Sequence, residues 1–116
     1  MKKLSGKGIG VAVLDTGAFV HMDFDDRIWA FQDYIHGKQQ PYDDNGHGTH
    51  VLGILGGSGK ASGGKYPGVA PGCGMIPLKV LDERGNGNKV QEIQALKWIA
   101  DNMERYRIRI VNISVG

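Results

Sequence analysis

The strongest constraint on this fold is the run Gly8-Ile9-Gly10-Val11-Ala12-Val13-Leu14, which carries no polar side chain and ends abruptly in Asp15-Thr16-Gly17. Unbroken apolar sequence, rather than polar alternation, describes a strand buried on both faces, as in a parallel sheet. Such a strand needs helices to cover it. Two further apolar runs, Met75 to Leu81 and Ile108 to Val115, predict companion strands, and Ile28 to Ile35 predicts a weaker one. His47 to Leu55 reads as a helix. A second helix is expected over about 89–105, where Val90, Ile93, Leu96, Ala100 and Met103 form an apolar stripe at spacings of three and four. Asn88 is its expected N-cap, Gln91 completes a capping box, and Asp101 and Arg105 stand one turn apart for pairing. Polar residues 39–46, the glycine-rich stretch 56–74 and the turn 82–87 connect these elements.

Strands alternating with helices imply a parallel α/β sheet, and in such sheets ligands bind beyond the carboxyl ends of the strands. Asp15 and Ser114 end strands and His47 opens a helix, so the three are expected on one rim. The length of 116 residues fits one domain. The net charge of +2 is too even for a dedicated nucleic-acid binder, and no run approaches the 18 apolar residues of a membrane span. The lone Cys73 excludes an internal disulfide and a multi-cysteine zinc site. The single Cys and the absence of an apolar stretch after Met1-Lys2-Lys3-Leu4-Ser5-Gly6 favour a cytoplasmic location, or a secreted one if a leader has been removed.

Chemistry concentrates in two places. Asp15 follows a strand, and His47 lies between glycines in Asn45-Gly46-His47-Gly48-Thr49-His50-Val51. A helix N-terminus disfavours imidazolium, so His47 needs a carboxylate partner, and Asp15 is the candidate. An orienting Asp and a general-base His make two thirds of a nucleophile triad. His50 reads as structural.

These residues resemble the active-site motifs of the subtilisin-like serine proteases, the subtilases. Val11 to Gly17 and His47 to Val51 resemble the first two motifs, 32 residues apart at Asp15 and His47. His21-Met22-Asp23-Phe24, Gly68-Val69-Ala70-Pro71, Leu78-Lys79-Val80-Leu81 and Asn112-Ile113-Ser114-Val115-Gly116 resemble later blocks in order. The approach Pro41 to Asn45 and the loop near Ser58 look like intracellular-type bacterial members. The resemblance implies a three-layer parallel-sheet fold, here its N-terminal portion, and a serine endopeptidase with Asp15 and His47 in the triad. It implies that Ser114, Val115 and Gly116, facing Gly85, Asn86 and Gly87, bind an extended peptide or protein substrate as an added strand. Catalysis would require no cofactor, and Asp23 would be a structural calcium ligand.

The family's nucleophile block, Gly-Thr-Ser, occurs nowhere in this chain, nor does the oxyanion asparagine; residues 1–116 are thus expected to be the N-terminal part of a catalytic domain, inactive alone. The strand ending near Val115 would then present an apolar edge open to self-association or strand exchange. Other readings compete. A truncated peptide-binding module or pseudoprotease would use the same half-groove. A retroviral-type aspartic protease would use Asp15-Thr16-Gly17 in an all-β dimer. A phosphate loop at Gly59-Lys60 lacks its Ser/Thr, and a metal hydrolase built from His47, His50, Asp43 and Asp44 lacks His-Glu-x-x-His.

Overall fold

A computed structural model of the chain describes residues 4–114. Four parallel strands, β1 (Gly10–Asp15), β2 (Gln32–Asp33), β3 (Gly74–Lys79) and β4 (Ile108–Ile113), form one sheet in the order β2-β3-β1-β4. Two helices cover it, α1 (His47–Gly56) and α2 (Lys89–Asn102). All six residues of both β1 and β3 are buried, as their unbroken apolar sequence requires. Alternate β1 side chains point to opposite faces. Val11 and Val13 meet Leu52, Phe24, Met75 and Cys73 on the α1 side. Ala12 and Leu14 meet Ile76, Leu78, Ala95, Ile99 and Ile108 on the α2 side. The result is the three-layer α/β arrangement expected. The helices packed on a parallel sheet also remove the aspartic-protease reading, whose architecture is almost wholly β.

The structure corrects three local expectations. The weak strand over 28–35 shrinks to a single bridge at Ile28 and the two residues of β2. Met75 exchanges both backbone bonds with the Arg27–Trp29 segment, and Lys79 accepts from Tyr34. Pro77 lies midway between them, with its nitrogen on the same side of β3. It has no N–H to offer there, so the neighbouring chain leaves the ladder. In α2 the stripe Val90, Ile93, Leu96 and Met103 faces outward, each residue 41–64% exposed, while Ala95 and Ile99 are the residues buried against the sheet. Ala95 is fully buried in the core cluster with Ala12, Leu14, Ile76 and Leu78 of the sheet. Asp101 and Arg105 do not pair, because α2 ends at Asn102 and Arg105 turns over the Tyr106 ring. The Asn88–Gln91 capping box is present with both reciprocal bonds. The long loop 56–74 contains one short 3₁₀ turn, Lys60–Ser62. Cys73 is buried, and burial pushes its thiol pKa up.

The topology locates the site. From β1 the chain returns through α1 to β3 on one side of β1, then through α2 to β4 on the other. The carboxyl end of β1, at Asp15, is the point where strand order reverses, and such a point opens a crevice.

Candidate active site

Asp15 ends the central strand with 1% exposure, flanked in register by Lys79 of β3 and followed across the sheet by Ser114, just past β4. Its backbone carbonyl accepts from the N–H groups of Val80 and Leu81, which fixes the turn that follows. Its carboxylate accepts from the Thr16 N–H at 2.7 Å and from the Ser114 hydroxyl. His47 Nδ1 lies 2.9 Å from Oδ1 and 3.0 Å from Oδ2 of the same carboxylate. The His47 side chain is 58% exposed, and among the described residues its Nε2 makes no hydrogen bond.

His47 is held there by the start of α1. The first N–H groups of a helix lack intrahelical acceptors, and here side chains supply them. Asn45 Oδ1 accepts from His47 N at 3.0 Å, Thr16 Oγ1 from Gly48 N at 2.8 Å, and Asp43 Oδ2 from Thr49 N at 2.9 Å. Asp43 also accepts from the Thr16 and Thr49 hydroxyls and from Asn45 and Gly46 N–H. One carboxylate therefore ties the turn after Asp15 to the helix that carries His47. The contact demands glycine at 48: a Cβ there would stand 2.4 Å from the Gly17 carbonyl oxygen.

Electrostatics follow from these partners. Burial alone would raise the Asp43 pKa, but the Thr49 hydroxyl, the N–H groups of Gly46 and Thr49 and the Thr16 hydroxyl hold it down at about 2. The His47 pKa is raised, first by its hydrogen bond to Asp15, then by the Asp15 charge and, more weakly, by Asp43. The helix N-terminus disfavours the cation, and the two carboxylates outweigh it.

The remaining predicted site residues divide. Ser114 is at the rim, its N–H on the Leu14 carbonyl and its hydroxyl on Asp15. Val115 and Gly116 lie outside the described residues. Gly85, Asn86 and Gly87 form a tight turn with Asp82, whose carboxylate accepts from Arg84 and Asn86 N–H. With Leu81, Lys89 and Glu92 they line a shallow cleft of about 340 Å³. Gly87 is constrained by the chain's own backbone, since a Cβ would meet the Val80 carbonyl at 2.2 Å. A cleft of about 610 Å³ that runs past His21, Thr49, His50 and Tyr66 contains neither Asp15 nor His47. His50 is exposed on that side. Asp15 and His47 thus lie outside that cleft, with the His47 ring exposed on the rim.

Calcium takes six to eight oxygens. Asp23 contributes one carboxylate, with Oδ1 already accepting from Ala61 N at 2.7 Å and the carbonyl taken by Ser58 N–H and Arg27. Among the described residues Asp23 belongs to no group of three or more His, Cys, Asp or Glu side chains with converging ligand atoms. Asp23 thus offers an ion a single carboxylate, one oxygen of which is already hydrogen-bonded. A separate exposed group, His36, Asp44 and Glu83, brings its ligand atoms within 4.8 Å of one another, but Asp44 is engaged by the Lys79 ammonium at 2.7 Å.

Sequence reasoning assigned no supporting role to Thr16, Asp43, Thr49 or Lys79. A signal existed for Lys79, a cation inside the apolar run Met75–Leu81, which cannot be buried without acceptors.

The chain is similar to known proteins along nearly its whole length. The model described as Subtilase family matches residues 6–116. Serine protease AprX of Bacillus subtilis (strain 168) is 43% identical over 97% of the chain. Subtilisin Savinase of Lederbergia lenta is 36% identical, also over 97%. Among solved structures, Sphericase superposes with a TM-score of 0.77 at 31% identity over 98% of the chain, and the CspB protease of Clostridium perfringens with 0.81 at 29% over 97%. The chain spans 26% of AprX and 39% of Savinase, and 38% and 30% of the two structures.

Proposed function

The chain belongs to the subtilase family, and from that premise we propose that it supplies the Asp–His half of the triad of a serine endopeptidase. The observation that carries this reading is the His47–Asp15 contact at 2.9 and 3.0 Å, with Nε2 left open on the rim. In the complete enzyme His47 Nε2 takes the proton from a serine hydroxyl supplied by polypeptide outside these 116 residues. It then returns that proton to the leaving amine. Asp15 keeps Nδ1 protonated, fixes the ring's orientation and stabilises the imidazolium. These transfers call for no cofactor. A peptide substrate adds as a strand between the segment 114–116 and the turn 85–87, with backbone bonds giving affinity.

Alone, the chain lacks a serine in the nucleophile's place. Of its own four, Ser114 is turned onto Asp15, and Ser58 and Ser62 lie with the 3₁₀ turn on the α1 side. No described helix is long and apolar enough to cross a membrane. The reduced, buried Cys73 supports a cytoplasmic location, and the relative named Minor extracellular protease Epr of Bacillus subtilis (strain 168), 37% identical, marks the secreted alternative. The test is hydrolysis of an unfolded protein by the 116-residue chain alone and by the product of the full reading frame, each treated with a fluorophosphonate. The account expects no turnover and no labelling alone, and both in the longer product. Cleavage by the 116-residue chain would refute the division of the triad, and peptide binding without cleavage by the longer product would refute the enzyme.

A further inference from the structure

Lys79 is the largest polar side chain buried in the described chain, at 0% exposure, and the proton-transfer chemistry does not use it. A buried ammonium is costly unless every proton finds an acceptor. Its three donors find three, and each lies on a different segment of the site. The Thr16 carbonyl, 2.6 Å away, belongs to the turn that follows Asp15. Asp44 Oδ1, at 2.7 Å, belongs to the loop that leads into His47. The Leu81 carbonyl, at 2.8 Å, belongs to the turn that walls the cleft at 85–87. The Tyr42 ring lies 5.2 Å from the ammonium and closes its remaining side.

We infer that Lys79 is a positioning residue for the Asp15–His47 pair, its ammonium locking the Asp15 turn, the His47 loop and the groove wall in one register. This inference rests on the reading of Asp15 and His47 as a working pair. The two can be tested apart, because the proton affinity of His47 is measurable without proteolysis. Asp44 is the link to change, since its side chain is 32% exposed and its loss leaves Lys79 two backbone acceptors. Asp44→Asn and Asp44→Ala remove the same charge, but only the amide keeps an oxygen for Lys79.

The experiment is an NMR pH titration of the His47 ring, with its low-field Nδ1 proton, in the 116-residue chain and these variants. Positioning predicts that Asp44→Ala binds the His47 proton roughly threefold more weakly than Asp44→Asn and loses the low-field signal. A folded Lys79→Met adds a test of sign. Loss of a nearby cation by itself raises the His47 proton affinity, whereas loss of register lowers it. Equal affinities in the two Asp44 variants, or a rise in Lys79→Met, would overturn the role of Lys79. An ordinary affinity in the unmodified chain would overturn the Asp15–His47 pairing, and the role of Lys79 with it. Should Lys79→Met fail to fold, the Asp44 pair decides.

Discussion

At the scale of single residues, the site is an argument between a helix and two carboxylates. The first turn of α1 opposes charge on His47, yet Asp15 and Asp43 raise its pKa. A raised pKa means that this interaction stabilises the fold fully below the unfolded histidine value near 6.5, and that the contribution is lost as rising pH passes the folded value. Asp43 works in the other direction. Its pKa of about 2 lies below the ordinary 3.8, so its contribution is present above about pH 4 and disappears as pH falls toward 2. Asp33, also held low against its own burial by Tyr42 and three backbone N–H groups, acts in the same direction. Thermal midpoints recorded from pH 7 to pH 2 are therefore expected to drop steeply below pH 4. Asp43→Asn is expected to start lower at pH 7 and to fall less below pH 4. Parallel curves for the two proteins would show that Asp43 does not bear this load.

At the scale of elements, α1 is placed by contact rather than by propensity. Its start touches the Gly17 backbone so closely that Gly48→Ala must push the helix away from the turn carrying Asp15. The expected cost is about 1–3 kcal/mol in chemical denaturation, in the range of overpacked cores. A change below about 0.5 kcal/mol would mean that the contact is slack. The same elements show what the sequence could reveal. β1 and β3 were legible because a strand buried on both faces has no polar alternation, β4 from its Ile and Val content although five of its six residues are exposed, and the start of α2 because a capping box is a local pattern. The facing of α2 was not legible. Periodicity reports that an apolar stripe exists, and only the packing decides whether Val90–Met103 or Ala95–Ile99 meets the sheet. The shortening of β2 was hidden too, because the cause, Pro77, sits 44 residues away from Asp33 in the sequence. Asp15 and His47 were legible as a pair from their motifs; the Lys79 and Asp43 scaffolding joins segments that only the fold brings together.

At the scale of the whole molecule, the three-layer slab ends in an apolar edge. Among the described residues β4 pairs with β1 on one side only, and Ile110, Val111 and Ile113 are 39–54% exposed. The outward stripe of α2 adds Val90, Ile93, Leu96 and Met103 to the same molecule's exposed apolar surface. A parallel strand with free backbone groups and apolar side chains is a template for pairing. Sedimentation velocity over a hundredfold concentration range is expected to show reversible association, reduced by Ile110→Lys; a dilution-independent monomer would refute the open edge. In the enzyme proposed above, the Asp15–His47 pair carries the chemistry. Its most direct test is kcat/KM for peptide hydrolysis by the product of the full reading frame carrying His47→Ala. The account predicts a loss of about 10⁴-fold or more with an unchanged thermal midpoint, since His47 is exposed and its loss empties no core. Activity retained within tenfold would contradict it.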